Sequence, residues 1–104
     1  MVSGQDNLRV AAENRAVFAQ LADGEGVIVD TETAFYFGLN RTAAFLWERL
    51  QAPGGAARED LVLALCARFA VERPEAERDV SDFLEQLVKQ GLASRLNEPG
   101  AGSD

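Results

Sequence analysis

The 104 residues contain no histidine and a single cysteine, Cys66. The commonest general base and metal ligand is therefore missing, and one thiol offers neither an internal disulfide nor a soft metal site. Cys66 falls where a small apolar side chain is enough, and no histidine is present to activate it. The loop acids Glu25, Asp30 and Glu32 lack calcium-loop spacing. Gly24-Glu25-Gly26 lacks the third glycine, leading into a helix, that a dinucleotide site needs. No residue is assigned a catalytic or metal-binding role, and no cofactor is implied. The remaining chemistry is recognition. Phe35, Tyr36 and Phe37 are consecutive aromatics, and in a strand they must occupy both faces. One face packs on helices. The other is either covered by the chain itself or left as an apolar strip that suits an added peptide strand. Asp79 and Asp82 form either a solvated acidic face or a contact for a basic partner segment. Phe45 points away from the apolar stripe of its own helix, so it either packs on the strands or marks a contact with another protein.

Composition narrows the classes further. Seventeen acids against ten bases give a net charge of −7, the wrong sign for a phosphate-backbone binder. The chain is 47% hydrophobic and 26% charged, as in an ordinary globular protein of one domain. No apolar run approaches the ~18 residues of a membrane span, and Met1 to Asn7 lacks the pattern of a secretory signal. A cytoplasmic location is expected. Residues 1–8 and 97–104 are small and polar and are expected to be flexible tails around a domain at 9–96.

The elements that position these residues change character near Leu39. Before it, Val17 to Leu21, Val27-Ile28-Val29 and Ala34-Phe35-Tyr36-Phe37 read as three strands separated by turns. Phe35, Phe37 and Leu39 share one face, with Ala34 and Tyr36 on the other. After it the pattern is helical. Asn40 caps a helix over Arg41 to Gln51, with Ala43, Leu46, Trp47 and Leu50 inward. A second helix spans Arg58 to Phe69. A third starts at Pro74, buries Val80, Phe83, Leu84, Leu87 and Val88, and closes at Gly91. The expected fold is α+β, a three-stranded antiparallel sheet followed by three helices.

The stretch from Val27 to Leu50 resembles the PqqD-like family, the recognition elements of ribosomally made, post-translationally modified peptide (RiPP) pathways. The resemblance rests on an aliphatic strand, a polar turn, the aromatic pair Tyr36-Phe37, Gly38-Leu39-Asn40, and a helix with Ala43 and Leu46-Trp47. Asp79-Val80, Phe83-Leu84, Leu87 and Gly91-Leu92 extend it, so that it covers roughly residues 17 to 93. Thr33-Ala34 stands where the family commonly has a glycine and a basic or polar residue. The resemblance implies a winged helix-turn-helix-like fold without catalysis. It implies a precursor leader peptide added as an antiparallel strand between strand three and helix three. By position, the peptide-binding residues are then Ala34, Phe35, Tyr36, Phe37, Asp79, Asp82, Phe83 and Gln86. The stretch looks closest to stand-alone proteins of lasso-peptide pathways, which work with a leader peptidase and a cyclase. The pyrroloquinoline-quinone branch works with a radical-SAM enzyme. The alternative is a winged-helix DNA-binding regulator, but helix three carries more acids than bases, which opposes a duplex. Nucleic acid and membrane are not expected partners.

Overall fold

A computed structural model describes residues 8–96. Its strands are β1 (Arg9–Ala12), β2 (Ala16–Gln20), β3 (Gly26–Asp30), β4 (Phe35–Leu39), β5 (Ala56–Ala57) and β6 (Ala93–Arg95). Its helices are α1 (Arg41–Leu50), α2 (Arg58–Phe69) and α3 (Arg73–Lys89). The strands form two antiparallel three-stranded sheets, β2-β3-β4 and β5-β1-β6.

The expected meander is the first sheet; the second was not foreseen. Strands therefore do not simply precede helices, since β5 sits between α1 and α2 and β6 follows α3. The small sheet ties both ends of the domain together, with β1 central between β5 and β6. Gly55 permits this closure. Its φ is +70°, and a Cβ there would lie 2.2 Å from the Val10 carbonyl oxygen. Of the two expected tails, Leu8 alone is described, and it packs against the core. Residues 1–7 and 97–104 lie outside the described residues.

The β3–β4 hairpin is built by Asp30. Its Oδ1 accepts the backbone N–H of Glu32 at 2.9 Å and of Thr33 at 3.4 Å, and its carbonyl accepts that of Ala34 at 2.7 Å. Side-chain acceptance of this kind makes an Asx turn. Ala34 takes φ +64° to complete the turn, so it is not in the strand, as its apolar neighbours had implied. Arg15 donates from Nε to Asp30 Oδ2 at 3.2 Å and from an Nη to the Gly91 carbonyl at 2.6 Å. One guanidinium thus joins the root of the hairpin to the end of α3. The N–H donors of Glu32 and Thr33, together with Arg15, hold the Asp30 carboxyl below the usual carboxylate range despite its burial.

The helix ends follow local chemistry. Asn40 Oδ1 accepts the Ala43 N–H at 2.8 Å, which starts α1 where expected. That helix ends one residue early, with Gln51 as its cap, and α3 begins at Arg73, placing Pro74 second. At the far end of α3, Gly91 takes φ +78° and the Leu92 N–H bonds the Leu87 carbonyl. The core joins Ile28 and Leu39 to Leu46, Trp47, Leu50, Leu61, Leu65, Val80, Leu84 and Leu87. Trp47 is fully buried, and Cys66 packs half-buried against this cluster.

Candidate functional site

β4 pairs with β3 along one border, and among the described residues no strand occupies its other border. Backbone N–H and C=O groups on that side are left for another partner. Beside the free border lies a groove of about 350 Å³. Phe37, Gly38 and Leu39 of β4 form one wall. Asn40, Thr42, Ala43 and Leu46 continue it as a floor, and Asp79, Asp82, Phe83 and Gln86 of α3 form the opposite wall.

The local physics of the wall and floor is simple. β4 runs straight into the Asn40 cap, so strand and helix meet at a corner with no intervening loop. On α3, Val80, Leu84 and Leu87 face the core, which turns Asp79, Asp82 and Gln86 outward and leaves Phe83 half-buried at the boundary. The result is an apolar bottom of Ala43, Leu46, Phe37 and Phe83 under an acidic rim. Neither Asp79 nor Asp82 takes part in an ion pair among the described residues.

Of the eight residues assigned to peptide binding from the sequence, five line this groove: Phe37, Asp79, Asp82, Phe83 and Gln86. Ala34, Phe35 and Tyr36 do not. Ala34 belongs to the turn. Phe35 stacks at a tilt on Phe37, with centroids 6.4 Å apart, and so continues the groove-side face toward the hairpin tip. Tyr36 is on the opposite face of the sheet, 68% exposed. It is flanked across the strands by Val29 and then Val17, and Gly38 follows it on the same face; the strip is left uncovered. The floor residues Thr42, Ala43 and Leu46 were not assigned to the site. Ala43 and Leu46 had been read only as core, and the same apolar stripe serves both purposes. Phe45 does not line the groove; half-buried, it packs against the core and shares a separate cavity with Phe18 and Gln20 of β2. It meets Phe69 edge-on at 5.5 Å.

No group of three or more His, Cys, Asp or Glu residues able to hold a metal ion occurs among the described residues, and none of their helices is long and apolar enough to cross a membrane.

Comparison with known proteins adds to the geometry. No curated protein matches the chain. The structure of TbiB1 in complex with the TbiA(beta) leader peptide matches with a TM-score of 0.71 and 34% identity, over 81% of this chain and 94% of that one. A lasso peptide synthetase B1 complexed with its leader peptide matches with a TM-score of 0.69 and 30% identity, over 83% of this chain and 98% of that one. The family model described as coenzyme PQQ synthesis protein D matches residues 25–93, a span that holds β3, β4, all three helices and every residue of the groove. The chain belongs to the PqqD family.

Proposed function

We propose that this protein is a non-catalytic recognition element that binds the leader segment of a ribosomal precursor peptide and presents it to a processing enzyme. The observation that carries the reading is the free border of β4 beside a groove floored by α1 and walled by α3. An added strand gains main-chain hydrogen bonds from such a border, and alternate side chains enter the adjoining groove. The two leader-bound structural relatives support peptide binding, and the lasso-peptide relative favours a partner such as a leader peptidase over a radical-SAM enzyme. In this reading Phe37, Leu46 and Phe83 receive an apolar leader residue, and Asp79 and Asp82 attract a basic one near it. Phe35 extends the contact toward the hairpin tip. The winged helix-turn-helix likeness belongs to the same proposal, with α2 and α3 as the helix pair and the β2-β3-β4 sheet beside them. A DNA-binding role has no support: α3 carries Glu75, Glu77, Asp79, Asp82 and Glu85 against Arg73, Arg78 and Lys89. The test is a calorimetric titration with a synthetic leader from the precursor encoded beside this gene. Saturable binding below about 10 μM is the expected result. Absence of binding at ten times that concentration would refute the proposal.

A further inference from the structure

The groove is not the largest concavity. Another, of about 590 Å³, is lined from α1 by Arg41, Ala44, Phe45 and Glu48, none of which reaches the groove. Arg41, Phe45 and Arg49 recur at four-residue spacing and so share one stripe of α1. Arg49 Cζ lies 4.7 Å from the Phe45 centroid, and Arg68 Cζ, on α2, lies 5.2 Å from that of Phe69. Stacking on a ring fixes the plane of a guanidinium while leaving its N–H edge open to a carboxylate. Arg41, Arg49 and Arg68 take part in no ion pair among the described residues, although the chain carries a net −7. The far wall of the cavity, around the β2–β3 turn, holds Asp23 and Glu25. The face is therefore of mixed charge, with the arginines, Phe45, Phe69 and Glu48 on the helix side and Phe18, Asp23 and Glu25 on the strand and turn side.

We propose that the Arg41–Phe45–Arg49 stripe with Arg68 and Phe69 is a second docking site, which takes from the processing enzyme a segment placing a carboxylate next to an apolar side chain. The carboxylate meets the open guanidinium edges in the bidentate manner those groups favour. The apolar neighbour covers Phe45 and Phe69. A polyanion is a poor fit, because Asp23, Glu25 and Glu48 would repel whatever charge the arginines did not reach. The choice of partner rests on the proposed function; the chemistry of the face does not, and this face and the groove share no lining residue.

The test uses the full chain and the purified enzyme whose gene adjoins it, with two variant pairs, Arg49→Glu/Arg68→Glu and the milder Arg49→Gln/Arg68→Gln. Enzyme binding is read by biolayer interferometry at 50 mM and 500 mM salt, and leader binding by calorimetry in parallel. The charge reversal is expected to weaken enzyme binding at least about tenfold at low salt, and the neutral pair by a smaller factor. Both effects shrink at high salt, and leader affinity stays within about twofold in every variant. The proposal is overturned if enzyme binding is unchanged in both pairs, or if leader affinity falls in step with it. Binding of a 20-base-pair duplex by the wild type that the charge reversal abolishes also overturns it, since the face would then select polyanions. Loss of leader binding by the wild type alone would sink the groove reading and leave this one standing.

Discussion

Ala34 holds a backbone conformation that its side chain opposes. Its φ of +64° lies in the left-handed region, where an alanine Cβ crowds the backbone at a cost of roughly 1–2 kcal/mol. Replacing it by glycine removes that crowding and returns part of the gain through the greater freedom of the unfolded chain, roughly 0.5–1 kcal/mol. The bond from the residue-34 N–H to the Asp30 carbonyl is a backbone bond and survives the change. The net expectation for Ala34→Gly is a stabilisation of about 0.5–1 kcal/mol, which in a domain this size raises Tm by about 2–8 °C. Trp47 is the sole tryptophan and is fully buried, so its fluorescence follows unfolding directly. Ala34→Val, which puts a β-branched residue at the same φ, should move Tm the other way. Leader affinity should be unaltered in Ala34→Gly, because the turn does not line the groove. A Tm that stays constant or drops would refute the reasoning about the turn. A loss of affinity with a raised Tm would restore Ala34 to the binding site.

Three other outcomes separate the roles of neighbouring residues. Tyr36→Ala, on the exposed face, should change stability by less than about 0.5 kcal/mol and leave leader binding intact, whereas Phe37→Ala should weaken leader binding by about 2 kcal/mol in calorimetry. Equal effects from both would show that the two faces of β4 are not distinguished. Asp79→Lys/Asp82→Lys should leave the melting curve nearly in place and reduce affinity for a leader bearing Lys or Arg, an effect that fades in 0.5 M salt; unaltered affinity would make the acidic rim a solvated surface. Because folding lowers the pKa of Asp30, its stabilisation is complete above the unfolded value of about 3.9 and is lost as pH falls through the lower folded value. The stability gap between wild type and Asp30→Asn should therefore close in acid below about pH 4, and a gap that does not vary with pH would remove Asp30 from that role.

Which parts of this structure were readable in advance depended on how much each residue reveals about its own surroundings. Asn40 as a helix cap and the limits of α2 were legible because capping and 3.6-residue periodicity are local. The strands β1, β5 and β6 were not. Arg9-Val10-Ala11-Ala12 has no alternation, Ala56-Ala57 is two residues long, and each pairs with segments far away in the chain. Ala34 was misread for a related reason: an alanine beside three aromatics continues an apolar run, and nothing in its chemistry signals a positive φ. The α3 wall of the groove came from the family resemblance, whose positions Asp79, Asp82, Phe83 and Gln86 do lie together. The floor went unnoticed because Ala43 and Leu46 look the same whether a neighbouring surface is closed by the protein or left open.

The groove is drawn from two unequal pieces of chain. One wall and the whole floor come from the unbroken run Phe37 to Leu46, and the other wall from a single helical face some forty positions later. Under the proposed function, the free border of β4 grips any backbone, while side chains are inspected by Phe37 and Leu46 on the first piece together with the α3 face on the second. Exchanging a few outward residues of α3, whose core-facing stripe need not change, could retarget the domain to a different precursor without disturbing its grip, so relatives could diverge in cargo while keeping one scaffold.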